Sequence, residues 1–234
     1  MRWSMTAGAT PCRPILPEVE DVLGIIPDFA AETPAWLSIL ATFVGALGGA
    51  LLGRQNSPAV DVAGMAVLAI SLGFGGGIIR DVLIGNTPPE ALRHWEYIVA
   101  VGVALGLILL LGREIARFAY ALLVLDALTL GLFAAVGAQY AIDAGLPALT
   151  AVLVGSFAAI GGGVAASVLL RETPSVMRPG PPYAIAAVAG AVVFVLLDGV
   201  NGGLASLGCV AVAFAIRVVA ERADLRTRPV RPID

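Results

Sequence analysis

The strongest constraint on this chain is a succession of seven long apolar stretches. They are Trp36–Gly53, Val62–Ile79 (running on through Arg80 and Asp81 to about Gly85), Tyr97–Gly112, Phe118–Ile142, Ala144–Leu170, Pro179–Leu197 and Gly199–Ile216. Within these bounds only the fourth carries a charge, Asp126. Crossing about 30 Å of hydrocarbon takes roughly 20 mostly apolar residues in a helix, and each stretch comes close to that length. The joints between them, Arg54–Asp61, Asn86–Glu96, Arg113–Arg117 and Arg171–Arg178, are short and polar. Of the 234 residues 59% are hydrophobic and 13% charged, with a mean hydropathy of +0.93. A soluble fold of this size has no interior able to hide that much apolar surface. Helices are the expected element, because a membrane barrel needs short strands that alternate apolar and polar residues.

Other classes fall away on residue counts. A net charge of −3, with no basic run interleaved with aromatics, gives no footprint for a nucleic-acid partner. Two cysteines, Cys12 in a polar tail and Cys209 in an apolar run, make neither a disulfide framework nor a metal site. The single histidine, His94, excludes a multi-histidine metal centre and sits at a span boundary, where solvation is expected. No nucleophile–base set and no phosphate loop between strand and helix is present, so the expectation is that the chain is not an enzyme.

Residues 1–34 carry Glu18, Glu20, Asp21, Asp28 and Glu32 with several prolines, and read as a polar tail with a short surface helix near Val22–Phe29. The C-terminal tail is Arg-rich and expected to fray after Leu225. All fourteen basic residues are arginine. Arg2, Arg13 and Arg93 fall on one side of the membrane; Arg54, Arg113, Arg117, Arg171, Arg178, Arg217, Arg222, Arg226, Arg228 and Arg231 fall on the other. The arginine-rich side is the cytoplasmic one by the positive-inside rule. The N-terminus is therefore expected outside and the C-terminus in the cytoplasm.

Gly75-Gly76-Gly77 recurs 86 residues later as Gly161-Gly162-Gly163, and the flanks agree: GGGIIRDVLIGNTP against GGGVAASVLLRETP. Each copy lies in the middle span of three. The domain plan is thus a tail (1–34), a first three-helix repeat (35–112), a second (113–198), a seventh helix (199–220) and a cytoplasmic tail (221–234). An odd number of spans per repeat inserts the second copy upside down, an architecture shared by many transporters.

Three successive glycines each cost about 1 kcal/mol relative to Ala inside a helix. Two readings account for them: kinks that free carbonyls toward a cavity, or close approach of a neighbouring helix. Arg80 and Asp81 lie one turn past the first triplet; buried charges in a membrane mark a functional site, unless Arg80 snorkels to the headgroups. Asp126 could cap a kink, pair with an arginine or offer its carboxylate to a cation. Trp36, Trp95, Tyr97 and Tyr183 are expected to form an interfacial aromatic belt.

The stretches GFGGGIIRDVLIGNTPP and LDALTLGLFAAVGAQYAIDAGLPALTAVLVGSFAAIGGG resemble the prokaryotic branch of the trimeric intracellular cation (TRIC) channel family, which includes bacterial glycine-transporter-like membrane proteins. The resemblance spans about residues 36–220. It implies an all-α polytopic membrane protein of seven transmembrane helices, two inverted triplets plus one, with the second and fifth helices kinked at Gly75, Gly76, Gly77 and Gly161, Gly162, Gly163. It further implies a homotrimer with one pore per protomer, Arg80 and Asp81 beside the first kink, and passive flux of monovalent cations, chiefly K⁺; with Asp126, read from its place in the fourth span, these are the candidate pore or gate charges. Membrane lipid is an expected partner and no cofactor is called for, K⁺ being the permeant ion. One departure is that Ala166 and Ser167 stand where members of the family repeat the Arg-Asp pair, so the second half-site reads as stripped of charge. A carrier for glycine or a similar small solute is the alternative function.

Overall fold

The structure is a computed structural model that describes residues 35–56, 58–117 and 120–225. The expected surface helix at Val22–Phe29 and the fraying after Leu225 lie outside those residues. Among the described residues eight helices follow one another: α1 (Ala35–Gln55), α2 (Val62–Ile84), a single-turn α3 (Glu90–Arg93), α4 (Trp95–Ala116), α5 (Ala121–Asp143), α6 (Ala148–Leu169), α7 (Tyr183–Asp198) and α8 (Gly202–Arg222). Six are long and apolar enough to cross a membrane, and α7 is a shorter apolar helix of 16 residues. At 1.5 Å per residue α7 reaches only about 24 Å. The stretch expected to begin at Pro179 becomes helical four residues later, because Pro179, Pro181 and Pro182 bring no amide hydrogens to a first turn.

The helix limits follow from local chemistry. Asp61 caps α2 by accepting from the Gly64 amide at 2.8 Å, and Asn201 caps α8 by accepting from Leu204 at 3.1 Å. Such caps satisfy amides that the first turn leaves without helical partners. Gly145, in the left-handed region at φ 75°, closes α5, and Pro147 then opens α6.

The two triplet helices end alike. After α2 the amides of Gly85 and Asn86 return to the carbonyls of Val82 and Asp81; after α6 those of Arg171 and Glu172 return to Val168 and Ser167. These are equivalent closures 86 residues apart. Where the first uses Gly85 at φ 77°, the second forces Arg171 to φ 57°. A side chain there costs roughly 1–2 kcal/mol. Arg171→Gly is therefore expected to stabilise the protein by about 1 kcal/mol, read as a raised melting temperature in detergent.

Helix α5 is the central element. From Ala127 to Ala138 nearly every residue is buried, wrapped by α1, α6, α7 and α8. Small residues allow this density, as membrane helices without a hydrophobic drive between them require. The outer surface carries Leu110, Leu149, Leu196 and Leu207, all exposed, a face that suits lipid. Arg54, expected at a span end, lies in the last turn of α1 and donates from Nη1 to the carbonyl oxygens of Ile108 and Leu109 at 2.7 and 3.2 Å. Its guanidinium rests against Gly112, whose missing side chain makes the room.

Two ion-pair clusters flanking a glycine crossing

Helices α2 and α6 cross where the triplets meet. A side chain on Gly75 would lie 2.8 Å from the Gly162 Cα, and one on Gly162 would lie 2.9 Å from the Leu72 carbonyl oxygen. Gly76 faces the Ala158 carbonyl and the ring of Phe133, while Gly161 faces Ile79. Both helices run unbroken through their triplets, and at Gly75, Gly76 and Gly162 the missing side chain admits a neighbouring backbone. The third glycine of each triplet differs: a side chain on Gly77 would meet open space, and Gly163 lines a cavity below Tyr183.

Beyond the crossing, toward the C-terminal end of α2, lies the first cluster. Arg80 is 2% exposed and Asp81 fully buried. Arg80 Nε donates to Asp81 Oδ1 at 2.7 Å, Nη2 to Glu90 Oε2 at 3.0 Å, and Nη1 to Ser38 Oγ at 3.4 Å. The Tyr140 hydroxyl donates to the same Glu90 oxygen at 2.7 Å, and its ring lies 3.7 Å below the guanidinium. The Glu90 amide, opening α3, donates to Asp81 Oδ2 at 2.8 Å. Arg80 therefore does not snorkel; one cation sits between two carboxylates and over one ring, joining α1, α2, α3 and α5.

The second cluster lies at the other end of α5. Arg217 Nη2 donates to Asp126 Oδ2 at 2.9 Å, the Tyr183 hydroxyl donates to Asp126 Oδ1 at 3.0 Å, and the guanidinium lies 4.7 Å from the Tyr183 ring centre. Asp126 and Tyr140 are 14 residues apart on α5, about 21 Å along the axis. Phe133, the residue against Gly76, is midway between them. The crossing thus lies between two oppositely placed ion-pair clusters. Asp126, Arg217, Tyr183, Ala166, Ser167 and Gly163 share the lining of a cavity of about 280 Å³.

Several sequence expectations change here. The second half-site is not stripped of charge, because Arg217 reaches it from α8. Asp126 takes the pairing option among its three readings. Tyr97 and Tyr183 do not join an aromatic belt: they are 3% and 7% exposed, whereas Trp36 and Trp95 are exposed as expected. His94 is exposed, its Nδ1 4.0 Å from Glu96. Arg80 and Asp81 come together, but Asp126 belongs to the other cluster. Sequence reading missed Glu90, Tyr140, Ser38 and Arg217. A usable signal existed for Arg217, which is followed by Val218, Val219 and Ala220, and so sits inside an apolar run rather than at its end.

A family model described as "Glycine transporter" matches residues 35–113 and 123–199. The chain belongs to this family. Among its relatives, a UPF0126 membrane protein of Deinococcus radiodurans is 39% identical over 162 residues, covering 69% of this chain and 74% of that one. The UPF0126 inner membrane protein YadS of Escherichia coli K12 is 34% identical, covering 68% and 75%. Of solved structures, the TRIC trimeric intracellular cation channel orthologue from Rhodobacter sphaeroides superposes with a TM-score of 0.73 at 33% identity, over 82% of this chain and 98% of that one. A further TRIC cation channel gives 0.74 at 28% identity, over 86% and 98%. The chain is a multi-pass membrane protein with TRIC channels as structural neighbours.

Proposed function

We propose that the protein is a channel for monovalent cations, chiefly K⁺, with one pore in each protomer of a homotrimer. The observation that carries this reading is the fold shared with TRIC cation channels over 98% of their length. Supporting it, the second cluster holds a carboxylate, Asp126, on a largely apolar cavity at one end of the triplet crossing. The path runs past Gly77 and Gly163, on either side of the contact between Gly75, Gly76, Gly161 and Gly162, and opening requires α2 and α6 to bend or part there. Arg80 and Asp81 fix the helix positions at one end, and Asp126 faces the ion at the other. The arginine distribution orients the chain with its N-terminus outside and its C-terminus in the cytoplasm of a prokaryotic inner membrane, with lipid around the trimer and no cofactor.

A carrier for a small zwitterion is favoured by one specific feature. Asp126 and Arg217 place opposite charges side by side on the cavity, as the two ends of glycine require. Purified protein in a planar bilayer under a K⁺ gradient separates the two. Discrete unitary K⁺ currents are expected; saturable glycine uptake without current would overturn the channel reading.

A further inference from the structure

The two repeats keep an offset of 86 residues well beyond the triplets. Tyr97 at the start of α4 corresponds to Tyr183 at the start of α7, and Gly85 corresponds to Arg171 at equivalent helix closures. By the same offset Arg80 corresponds to Ala166 and Asp81 to Ser167. Symmetry therefore places a missing cation on the cavity that Ala166 and Ser167 line. Arg217 occupies that cavity from α8, which belongs to neither repeat.

The two arginines are held differently. Arg80 bonds two carboxylates and a serine hydroxyl and is 2% exposed. Arg217 is 8% exposed, has one carboxylate partner, and its buried Nε finds no hydrogen-bond partner among the described residues. Holding an arginine by one carboxylate beside an open cavity leaves it free to exchange that partner. Breaking the pair exposes Asp126 to whatever cation enters the cavity.

Building on the channel reading, we propose that Arg217 is the gating counter-ion of the second half-site: it replaces from α8 the cation that the repeat lacks at Ala166, and it closes the cavity to cations by occupying Asp126. An arginine in a low-dielectric passage raises the local potential against cations, and neutralising Asp126 removes the attraction that would offset it. Arg217 is thus a positioning residue, acting on the ion through Asp126, while the Arg80 cluster is a fixed clamp.

The test uses the full chain with Cys12→Ser and Cys209→Ala, and Ser167→Cys as a reporter on the cavity wall. Arg217→Met keeps an apolar stem and removes the charge. It is expected to speed modification of the reporter by a cationic methanethiosulfonate about tenfold, the scale set by one charge a few ångströms from the path, and to raise K⁺ flux in proteoliposomes. A neutral methanethiosulfonate should show little change. Adding Ala166→Arg to Arg217→Met should return the slow labelling and the low flux; should that double variant fail to assemble, Arg217→Lys must behave as the parent does. Unchanged cationic labelling in Arg217→Met, with only the melting temperature lowered, would overturn the proposal and leave a structural ion pair. Equal acceleration of both reagents would also overturn it, since loosened packing rather than charge would then control access. Labelling needs no current, so a protein that passes no K⁺ yet shows the charge-dependent labelling would defeat the channel reading and keep the gate.

Discussion

Arg80→Met should cost the folded protein about 3–5 kcal/mol, the range found when one partner of a buried ion pair is removed. The guanidinium is the only cation bonded to Asp81 and Glu90 among the described residues, and Asp81 has no exposure to water at all. Methionine fills much of the volume but leaves buried Asp81 with the Glu90 amide as its one hydrogen bond among the described residues, and takes from Glu90 its one cation among them. An uncompensated carboxylate in such surroundings is far costlier than the pair that it came from. Melting in detergent should show a large drop for Arg80→Met and a smaller one for the double variant Arg80→Met/Asp81→Asn. That non-additivity is the sign of direct contact. A shift below about 1 kcal/mol, the scale of an exposed ion pair, combined with raised K⁺ conductance, would mean that Arg80 faces the ion path rather than clamping the helices.

How far the sequence discloses this protein depends on the range of the interaction. The apolar runs and the duplicated triplets place six of the long helices within a few residues, because lipid imposes length and polarity on each segment by itself. The shortened α7 is legible too, in Pro179, Pro181 and Pro182, though a hydropathy reading runs straight across them. The partners of Arg80 are another matter. Ser38, Glu90 and Tyr140 come from three other elements, and only the packing of α1, α3 and α5 around α2 brings them within reach. Arg217 is the instructive case: counted as a residue at a span end, it belongs inside α8 and restores a charge that the repeat has lost. Pairwise symmetry in the sequence pointed to the empty position at Ala166, but nothing local to Ala166 names the helix that fills it.

Gly76→Leu should abolish assembly as well as flux, because the residue is a point of backbone contact. A β-carbon there would overlap the Ala158 carbonyl oxygen and lie 3.0 Å from the Phe133 ring, and both neighbours are buried. Overpacking a tight core costs typically 1–3 kcal/mol for a few methylenes; here the obstacle is helix backbone, which cannot rotate aside, so α2 and α6 must separate. Gly162→Leu meets the Leu72 carbonyl and should fail in the same way. Gly77 supplies the discriminating contrast, since a methyl group at that position has nothing within 4 Å. If the triplets serve only close approach, Gly77→Ala folds normally and gains up to about 1 kcal/mol of helix propensity, with flux unchanged. If instead channel opening depends on a helix that bends at the triplet, Gly77→Ala stiffens α2 and lowers flux while the melting temperature holds or rises. Yield of assembled protein, melting and K⁺ flux on the three variants separate the two roles. Normal assembly of Gly76→Leu would refute the crossing as the reason for the glycines, because no rearrangement short of parting α2 from α6 accommodates a leucine between Ala158 and Phe133.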